Sequence, residues 1–477
     1  MFDPAKASSY VQQQWADDLV TQISEYIAIP ALSPVFDADW EQTGHIGNAV
    51  SHIMSWMEKR PIQGLSVRLQ QIDGLTPLIV AEIEPFGIQS GAEAPVLMYG
   101  HLDKQPEMLP WDDGLGPWSP VRRGDKLYGR GGADDGYAAY AALTAIEAVQ
   151  RSGGSHGPIF VLIEASEESG SPDLEAHMRL LGPQLGQIDL VVALDSSVGD
   201  YDRVWLTSSL RGLVAGVLRV EMLTEGIHSG SSSGVVASTM RVMRQLLDRI
   251  EDAYTGRVLI ESSHVEIPQD RRNEAKAMAE VTGYDPQSSF PFVAGARPTT
   301  NDPASAILAH DWAPAMSYVA ADGLPPLAAG GNVLRPRTSL KLSLRIPPTA
   351  DSSAVREELT QMLTDDPPYG AKVSFDGIEM ADGWNAPTTS PWLSDALEEA
   401  SKTYFGETFQ VKGEGGTIPF MGMLGALFPA ADFVITGVLG PGSNAHGPNE
   451  YLHLAYAEKV TSVVAMILDR QTRPSSQ

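Results

Sequence analysis

The chain has 477 residues, a formal net charge of -27, a hydrophobic share of 43% and no cysteine. This length suits two or three domains with a normal buried core, the acidic surface disfavours nucleic acid and anionic membranes as partners, and the lack of cysteine excludes disulfides and thiolate metal ligands. Because no apolar run reaches the about 18 residues that a bilayer span needs, and the N-terminus has no signal-peptide pattern, we expect a cytoplasmic protein that does not associate with membranes.

Four short apolar runs have the composition of strands that are buried on both faces. They occupy residues 96–100, 159–163, 190–194 and 433–437. Helical patterns, including residues 137–150, separate several of these runs, so we expect an α/β fold with a mixed, mostly parallel sheet and helices on both faces. Further helices are predicted at residues 16–27, 45–59, 392–404 and 455–468, and a frayed tail at 472–477.

The middle of the chain has a different pattern. Residues 338–346 alternate strictly between apolar and polar, which is typical of a strand buried on one face. We infer an inserted α+β domain over residues 208–385, while residues 1–207 and 386–477 form one catalytic domain. Residues 267–328 are rich in Pro, Gly and Ala and allow no assignment of elements. The other elements predicted in the inserted domain are strands at 214–223 and 372–380 and helices at 235–254 and 354–363.

Acidic residues or a histidine follow each buried run, at the edge of the sheet where α/β proteins bind ligands. Two histidines with several carboxylates suit a divalent ion such as zinc, manganese or cobalt. The carboxylates are too many for one tetrahedral site and the histidines too few for three imidazole ligands, whereas two ions that share a carboxylate would use the whole set. The candidates are His101, Asp134, Glu167, Glu168, Asp195 and His446.

Neighbouring residues have candidate supporting roles. Asp103 lies two residues after His101, where its carboxylate could orient the imidazole and raise its basicity. In the adjacent pair Glu167-Glu168, one carboxylate can bind metal while the other takes a proton from water. The alternative for Asp134 is a simple N-cap of the helix that follows it.

Seven short motifs follow one another in a defined order. They are Gly100-His-Leu-Asp-Lys-Gln-Pro106, Tyr128-Gly-Arg-Gly-Gly-Ala-Asp-Asp135, Glu167-Glu-Ser-Gly-Ser171, Leu194-Asp195, His228-Ser-Gly230, Gly415-Gly-Thr-Ile-Pro419 and Asn444-Ala-His-Gly-Pro448. The ordered set resembles the metallopeptidases of the M20 family from residue 100 onwards, including the inserted domain. The first motif, Glu414 and the chain length resemble the branch of carnosinase-like and bacterial dipeptidases most.

This resemblance implies two divalent metal ions per subunit, bridged by Asp134, with a cis peptide bond to Asp135. Zinc is the first expectation, and manganese or cobalt are the alternatives. Glu167 is implied to be the general base that activates the bridging water and passes its proton to the leaving amine. The other implied ligands are His101 and Asp195 for one ion, and Glu168 and His446 for the second.

The resemblance also assigns roles in the inserted domain, which it implies to be both a lid and the surface of a homodimer. His228 would reach across the dimer interface to stabilise the oxyanion of the tetrahedral intermediate. Arg345 would bind the substrate carboxylate, and Glu414 its free amino group. The remaining implied substrate contacts are Asn332, Gly416 and Thr417. Without the resemblance, His228 and Glu414 are ordinary loop residues, and for Arg345, in its alternating strand, a solvent-facing position and a binding role are equally open.

The predicted function is therefore hydrolysis of the peptide bond of dipeptides or short peptides by a two-metal centre. A deacylase of N-acyl amino acids or a carboxypeptidase would use the same site. Two alternatives from other classes are a non-catalytic binding protein on the same fold, which the intact Glu167 argues against, and a structural dimer that binds no metal.

Overall fold

The computed structural model describes residues 1–88 and 95–472. The chain divides into two units: unit 1 contains Met1–Ser208, Ala386–Lys412 and Met423–Gln477, and unit 2 contains Ser209–Asn385 and Gly413–Gly422. Residues 473–477, which belong to the tail predicted to be frayed, lie outside the described residues.

The α-helices are numbered in chain order. They are α1 Pro4–Gln14, α2 Val20–Ile27, α3 Trp40–Thr43, α4 His45–Met57, α5 Tyr137–Arg151, α6 Leu174–Leu185, α7 Ser229–Ser232, α8 Thr239–Ile250, α9 Gln269–Thr282, α10 Pro303–Asp311, α11 Ser352–Thr364, α12 Pro391–Tyr404, α13 Pro419–Leu427 and α14 Leu454–Gln471.

The β-strands are numbered in the same way. They are β1 Leu65–Gln70, β2 Leu78–Ile83, β3 Val96–His101, β4 Val121–Arg123, β5 Lys126–Tyr128, β6 Ile159–Glu164, β7 Leu190–Ala193, β8 Trp205–Leu210, β9 Gly212–Glu221, β10 Ile227–His228, β11 Ala315–Asp322, β12 Val333–Leu334, β13 Arg337–Ile346, β14 Lys372–Ala381, β15 Trp384–Asn385, β16 Gln410–Glu414, β17 Asp432–Ile435 and β18 Tyr451–His453.

The main sheet of unit 1 has the strand order β1-β2-β6-β3-β7-β17. β3 pairs in parallel with β6 and with β7, and β17 pairs in parallel with β7. β2 runs antiparallel to both of its neighbours. All side chains of β3 and β7 are buried, which explains why their sequences are continuously apolar. The prediction of an α/β fold with a mixed, mostly parallel sheet is confirmed.

The helix α5 is buried along nearly its whole length. It contacts β3 and β6 of the sheet and packs against α1 and α14. Its many alanines suit this position because small side chains let helices and strands approach closely. Gly136 precedes it where a Cβ would lie 2.0 Å from the Tyr26 ring, so the chain needs a glycine there. At the N-terminus, the helix predicted from residue 16 begins earlier, because α1 and α2 are joined by one π-helical turn, Trp15–Leu19.

Unit 2 contains a four-stranded antiparallel sheet in the order β11-β13-β9-β14. The helices α8 and α11 share a buried apolar core with it; Leu246 and Leu359 of the helices and Leu218, Leu342 and Phe375 of the strands belong to this core. The part that the sequence left unassigned forms α9, α10 and β11. The α+β pattern predicted for the middle of the chain is thus the pattern of this unit.

Residues Gly413–Gly422 belong to unit 2, whereas the sequence placed them in the catalytic domain. The reason is a set of hydrogen bonds: Arg211 Nε donates to Gly415 O over 3.1 Å, and Thr417 Oγ1 donates to Arg211 O over 2.6 Å. No α-helix in residues 1–88 and 95–472 is long and apolar enough to span a lipid bilayer.

Candidate metal centre

Three neighbouring parallel strands end beside one another in unit 1. His101 is the last residue of β3 and lies opposite Glu164, the last residue of β6. Glu167 follows β6, and Asp195 follows β7. Because the carboxyl ends of parallel strands share one edge of the sheet, these side chains converge. The prediction that polar residues after the buried runs meet at one place therefore has a direct geometric basis.

Asp134 reaches the same place from the tight turn before α5. The Asp134–Asp135 peptide bond is cis, as the resemblance implies. The turn lies against β3, where a Cβ on Gly100 would be 2.8 Å from Asp135 Oδ2. A glycine in β3 therefore gives the second aspartate the room it occupies.

Two groups of three potential ligands result. His101, Glu167 and Asp195 form the first group, and Asp134, Glu168 and His446 form the second; in each, the ligand atoms lie within 4.8 Å of one another. We call them the His101 group and the His446 group.

Asp134 faces both histidines. Its Oδ1 lies 3.4 Å from His101 Nε2, and its Oδ2 lies 3.0 Å from His446 Nε2. On the other side, His101 Nε2 is 3.8 Å from Asp195 Oδ2, and His446 Nε2 is 3.3 Å from Glu168 Oε2. One carboxylate thus presents one oxygen to each group.

The donor set fits divalent cations. His101 Nε2 is buried and has no hydrogen-bond partner among the described residues, although three carboxylates surround it. A buried nitrogen without a partner is costly unless another species satisfies it. Imidazole with an excess of carboxylates is the ligand chemistry of zinc and manganese.

The electrostatics of the centre point in the same direction. Burial, followed by the nearby carboxylates, raises the pKa of Glu167 well above its usual range. Burial, with Asp134 and Glu168 as further causes, raises the pKa of Asp195 to about 7. Burial opposes the charged form of His446, yet Asp134 and Glu168 outweigh it and raise the pKa of this imidazole to about 11. So many buried negative charges are compensated best by added cations.

Asp103 has more contacts than the sequence predicts. Its Oδ1 lies 3.5 Å from His101 Nδ1, where it can orient the ring. Its two oxygens also accept hydrogen bonds from the backbone N–H groups of Glu167 and Glu168, over 3.1 and 3.0 Å. One buried carboxylate therefore contacts both the histidine of β3 and the turn after β6.

A second anchor of that turn was missed in the sequence. The Glu164 carboxylate is buried and accepts hydrogen bonds from the hydroxyls of Tyr99, Ser171 and Ser166. Ser166 and Ser171 flank the turn that carries Glu167, so Glu164 is hydrogen-bonded to both ends of this turn. The only sequence signal was a glutamate inside an otherwise apolar strand.

The predicted substrate contacts lie in unit 2, and the structure brings them together in two places. Arg345 Nη1 donates to Thr417 Oγ1 over 2.7 Å. His228 is exposed, and the backbone N–H of Ser229 that follows it donates to Asn332 O over 2.9 Å. The two remaining predicted contacts, Glu414 and Gly416, are half-buried in the segment that carries Thr417.

Arg211 is a further functional candidate that the sequence analysis did not single out. Besides its bond to Gly415 O, it lies close enough to Arg345 for the two cations to influence each other. Burial, and then the charge of Arg345, lower the pKa of Arg211 to about 10. Two guanidiniums, one buried and one half-buried, thus lie close to each other, and the carboxylates of Asp311 and Glu414 are also near enough to act on Arg211.

The match to a family of known proteins decides what kind of molecule has this site. Residues 97–470 match the model of peptidase family M20/M25/M40. The chain belongs to this peptidase family. The family predicted from the motifs is confirmed, and the prediction that the protein is an enzyme of the metallopeptidase class is confirmed with it.

Individual relatives agree with this assignment. The chain is 26% identical to the cysteinylglycine-S-conjugate dipeptidase of Corynebacterium striatum, over 80% of this chain and 82% of the relative. It is also 26% identical to the Beta-Ala-His dipeptidase of Mus musculus, over 72% of this chain and 70% of the relative. Among solved structures, the dipeptidase Dug1p of Saccharomyces cerevisiae superposes with a TM-score of 0.76 at 19% identity, covering 99% of both chains; this likeness shows the fold.

Proposed function

We propose that the protein is a dinuclear metal-dependent hydrolase that cleaves dipeptides. The observation that carries the proposal is the Asp134 carboxylate, which presents one oxygen to the His101 group and the other to the His446 group. A pair of divalent ions bound there would act as Lewis acids toward the scissile carbonyl and the attacking water. Asp134 would contribute to holding both ions, His101 and Asp195 would hold one of them, and Glu168 and His446 would hold the other.

Glu167 is the general base in this proposal. Its side chain is 12% exposed and Oε2 lies 4.0 Å from His101 Nε2, so it borders the centre and can still reach water. Its raised pKa suits a group that must take a proton from water and then give it to the leaving amine. Asp103 supports it by holding the backbone N–H of the same residue.

Zinc is the proposed ion, with manganese or cobalt as alternatives, at two ions per subunit. Elemental analysis of the purified protein, followed by equilibrium dialysis of chelator-treated protein, tests both identity and number. A plateau at one ion, or no binding at all, would contradict the dinuclear proposal.

Arg345 and Thr417 are proposed to bind the substrate carboxylate, because a half-buried guanidinium held by a hydroxyl can present two N–H groups to a carboxylate. Asn332 and Gly416 are proposed as neighbouring substrate contacts. Glu414 is proposed to bind the free amino group, and this contact separates a dipeptidase from a deacylase.

The decisive experiment is hydrolysis of a panel of unblocked dipeptides and matched N-acyl amino acids by chelator-treated protein, before and after zinc or manganese is restored. We expect metal-dependent cleavage of the dipeptides alone. Cleavage of the acylated compounds would instead support the deacylase alternative, and cleavage of longer peptides from the C-terminus would support a carboxypeptidase. Bound metal without any cleavage would support the binding-protein alternative.

A substitution at Glu414 sharpens this experiment. Glu414→Ala should lower kcat/KM for dipeptides about tenfold, by the roughly 1.4 kcal/mol of one charge-assisted hydrogen bond. It should leave any cleavage of N-acyl compounds unchanged, because an acylated nitrogen offers no ammonium. Equal loss for both classes would remove the reason to prefer a dipeptidase.

A homodimer through the inserted domain is proposed as the working assembly, with His228 of the partner subunit stabilising the oxyanion. The support is the strand β11, which pairs within the described sheet only with β13 and whose last six side chains are exposed; such an edge readily pairs with another chain. Mixing inactive His228→Ala and Glu167→Gln proteins tests this. Recovered activity in the mixture supports action across subunits, whereas an inactive mixture of exchanging subunits contradicts it.

Cytoplasmic localisation stays a prediction of the sequence. Fractionation of cells that express the full chain at its natural level tests it, and recovery in the secreted or membrane fraction would contradict it.

A further inference from the structure

A buried ion pair lies beside the His446 group and belongs to neither predicted set of ligands. Arg130 and Glu450 are 1% and 0% exposed, and Arg130 Nη1 donates to Glu450 Oε2. Withdrawing two charges from water is costly, so such a pair is seldom explained by stability alone. The hydrogen bonds that the two side chains make with the surrounding segments therefore indicate their role.

Glu450 holds the segment that leads into Asp134. Its Oε1 accepts hydrogen bonds from the backbone N–H groups of Gly131 and Ala133, over 3.0 and 3.4 Å. Its own carbonyl accepts from Gly129 N over 3.0 Å. Since Asp134 directly follows Ala133, these three bonds determine where the shared carboxylate begins.

Arg130 holds the two other members of the His446 group through their neighbours. Its Nη2 donates to Gly447 O over 2.8 Å, directly after His446. Its Nε donates to Pro106 O over 3.1 Å, and the preceding residue, Gln105, donates from Nε2 to Glu168 Oε2 over 2.6 Å. The guanidinium thus links the loops that position the histidine and the glutamate.

These contacts matter because His446 lies in an exposed loop. Its side chain is 55% exposed, and its backbone has a φ of 61°, in the left-handed region that is uncommon for residues other than glycine. A loop residue in such a conformation stays there only when its surroundings impose it.

We propose that Arg130 and Glu450 are positioning residues that assemble the His446 group and so determine the affinity of one of the two ions. The ends of the strands β3, β6 and β7 position the His101 group instead. The inference rests on the proposed two-metal centre. Residues that orient metal ligands from behind typically change metal affinity by about 10- to 100-fold when they are replaced.

The test is metal binding to chelator-treated protein, measured by equilibrium dialysis with zinc and with manganese. For Arg130→Lys, we expect one of two binding steps to weaken about 10- to 100-fold and the other to stay within about twofold. Glu450→Gln should weaken the same step most and the other step less, because Glu450 holds the backbone before Asp134, which faces both groups. The matched control is Glu147→Gln: Glu147 is 1% exposed and pairs with Arg60 in the same unit, so it should lower the melting temperature while leaving both binding steps unchanged.

A double variant separates positioning from general damage. His446→Ala removes a ligand of the same ion, so adding Arg130→Lys to it should not weaken the binding of the remaining ion further. Equal weakening of both ions in Arg130→Lys, a further loss of the remaining ion in the double variant, or two unchanged steps in folded Glu450→Gln and Arg130→Lys would each overturn the inference. A parent protein that binds fewer than two ions would instead overturn the proposed function.

Discussion

The two halves of the candidate metal centre are built in opposite ways. His101 is completely buried at the end of a central strand, whereas His446 is more than half exposed in a loop after the last strand of the sheet. The first half inherits its geometry from the parallel sheet. The second half depends on side chains of distant segments, above all Arg130 and Glu450. Asp134 thus faces one histidine that is positioned by a β-strand and another that is positioned by buried polar contacts.

The largest expected effect is on turnover and metal binding, in which substitutions of the adjacent residues Glu167 and Glu168, one from each half, should differ. Glu167→Gln should lower kcat by about 100- to 10,000-fold, because the general base is lost, and should still bind two ions. Glu168→Gln should lose the ion of the His446 group. Turnover assays with metal analysis of the same samples check this, and a Glu167→Gln protein that keeps its turnover would refute the assignment of the base.

The next effect concerns the free energy of unfolding of metal-free protein. His101→Ala should cost about 3–5 kcal/mol, because it removes a completely buried imidazole that lies among three carboxylates. His446→Ala should cost less, because its imidazole is 55% exposed and solvent screens its pairs with Asp134 and Glu168. Urea unfolding of both variants measures the contrast. Similar losses would show that the exposed loop is as rigidly built as the strand end.

The smallest expected effect is a pH dependence of the free energy of unfolding that comes from Glu164, at the end of β6. Burial raises the pKa of Glu164 to about 7, so between pH 4.5 and 7 the folded state binds more protons at this group than the unfolded state. Its contribution to stability is complete below pH 4.5 and decreases as the pH rises to 7, by at most about 1.4 kcal/mol per pH unit.

Glu164→Gln should therefore flatten the dependence of unfolding free energy on pH in that window, in metal-free protein. Glu84→Gln serves as the control, because Glu84 is exposed on the surface of the same unit. If the unfolding free energy of Glu164→Gln depended on pH as that of the parent does, the raised pKa of Glu164 would be contradicted.

The sequence predicted the part of the centre that follows from regular structure. Buried apolar runs identified β3, β6, β7 and β17, and five of the six members of the two groups lie at or after the ends of these strands. The sixth, Asp134, comes from the turn before α5. The peptide bond after Asp134, however, was implied by resemblance alone, because no periodicity reports a single dihedral angle.

The supporting contacts were not predictable, since they join residues far apart in the chain. Arg130 and Glu450 are separated by 320 positions, and charged residues in glycine-rich or polar segments are ordinarily assumed to face solvent. The segment Gly413–Gly422 was assigned by its neighbours in sequence, whereas its hydrogen bonds to Arg211 determine the unit to which it belongs. Both features depend on tertiary contacts that local patterns do not encode.

The strand β17 lies beside β7, although about 240 residues separate them in the chain. A ribosome therefore makes His101, Asp134, Glu167, Glu168 and Asp195 long before the last edge strand and His446 emerge. In the proposed two-metal centre, the complete set of ligands therefore exists only after His446 has been synthesised.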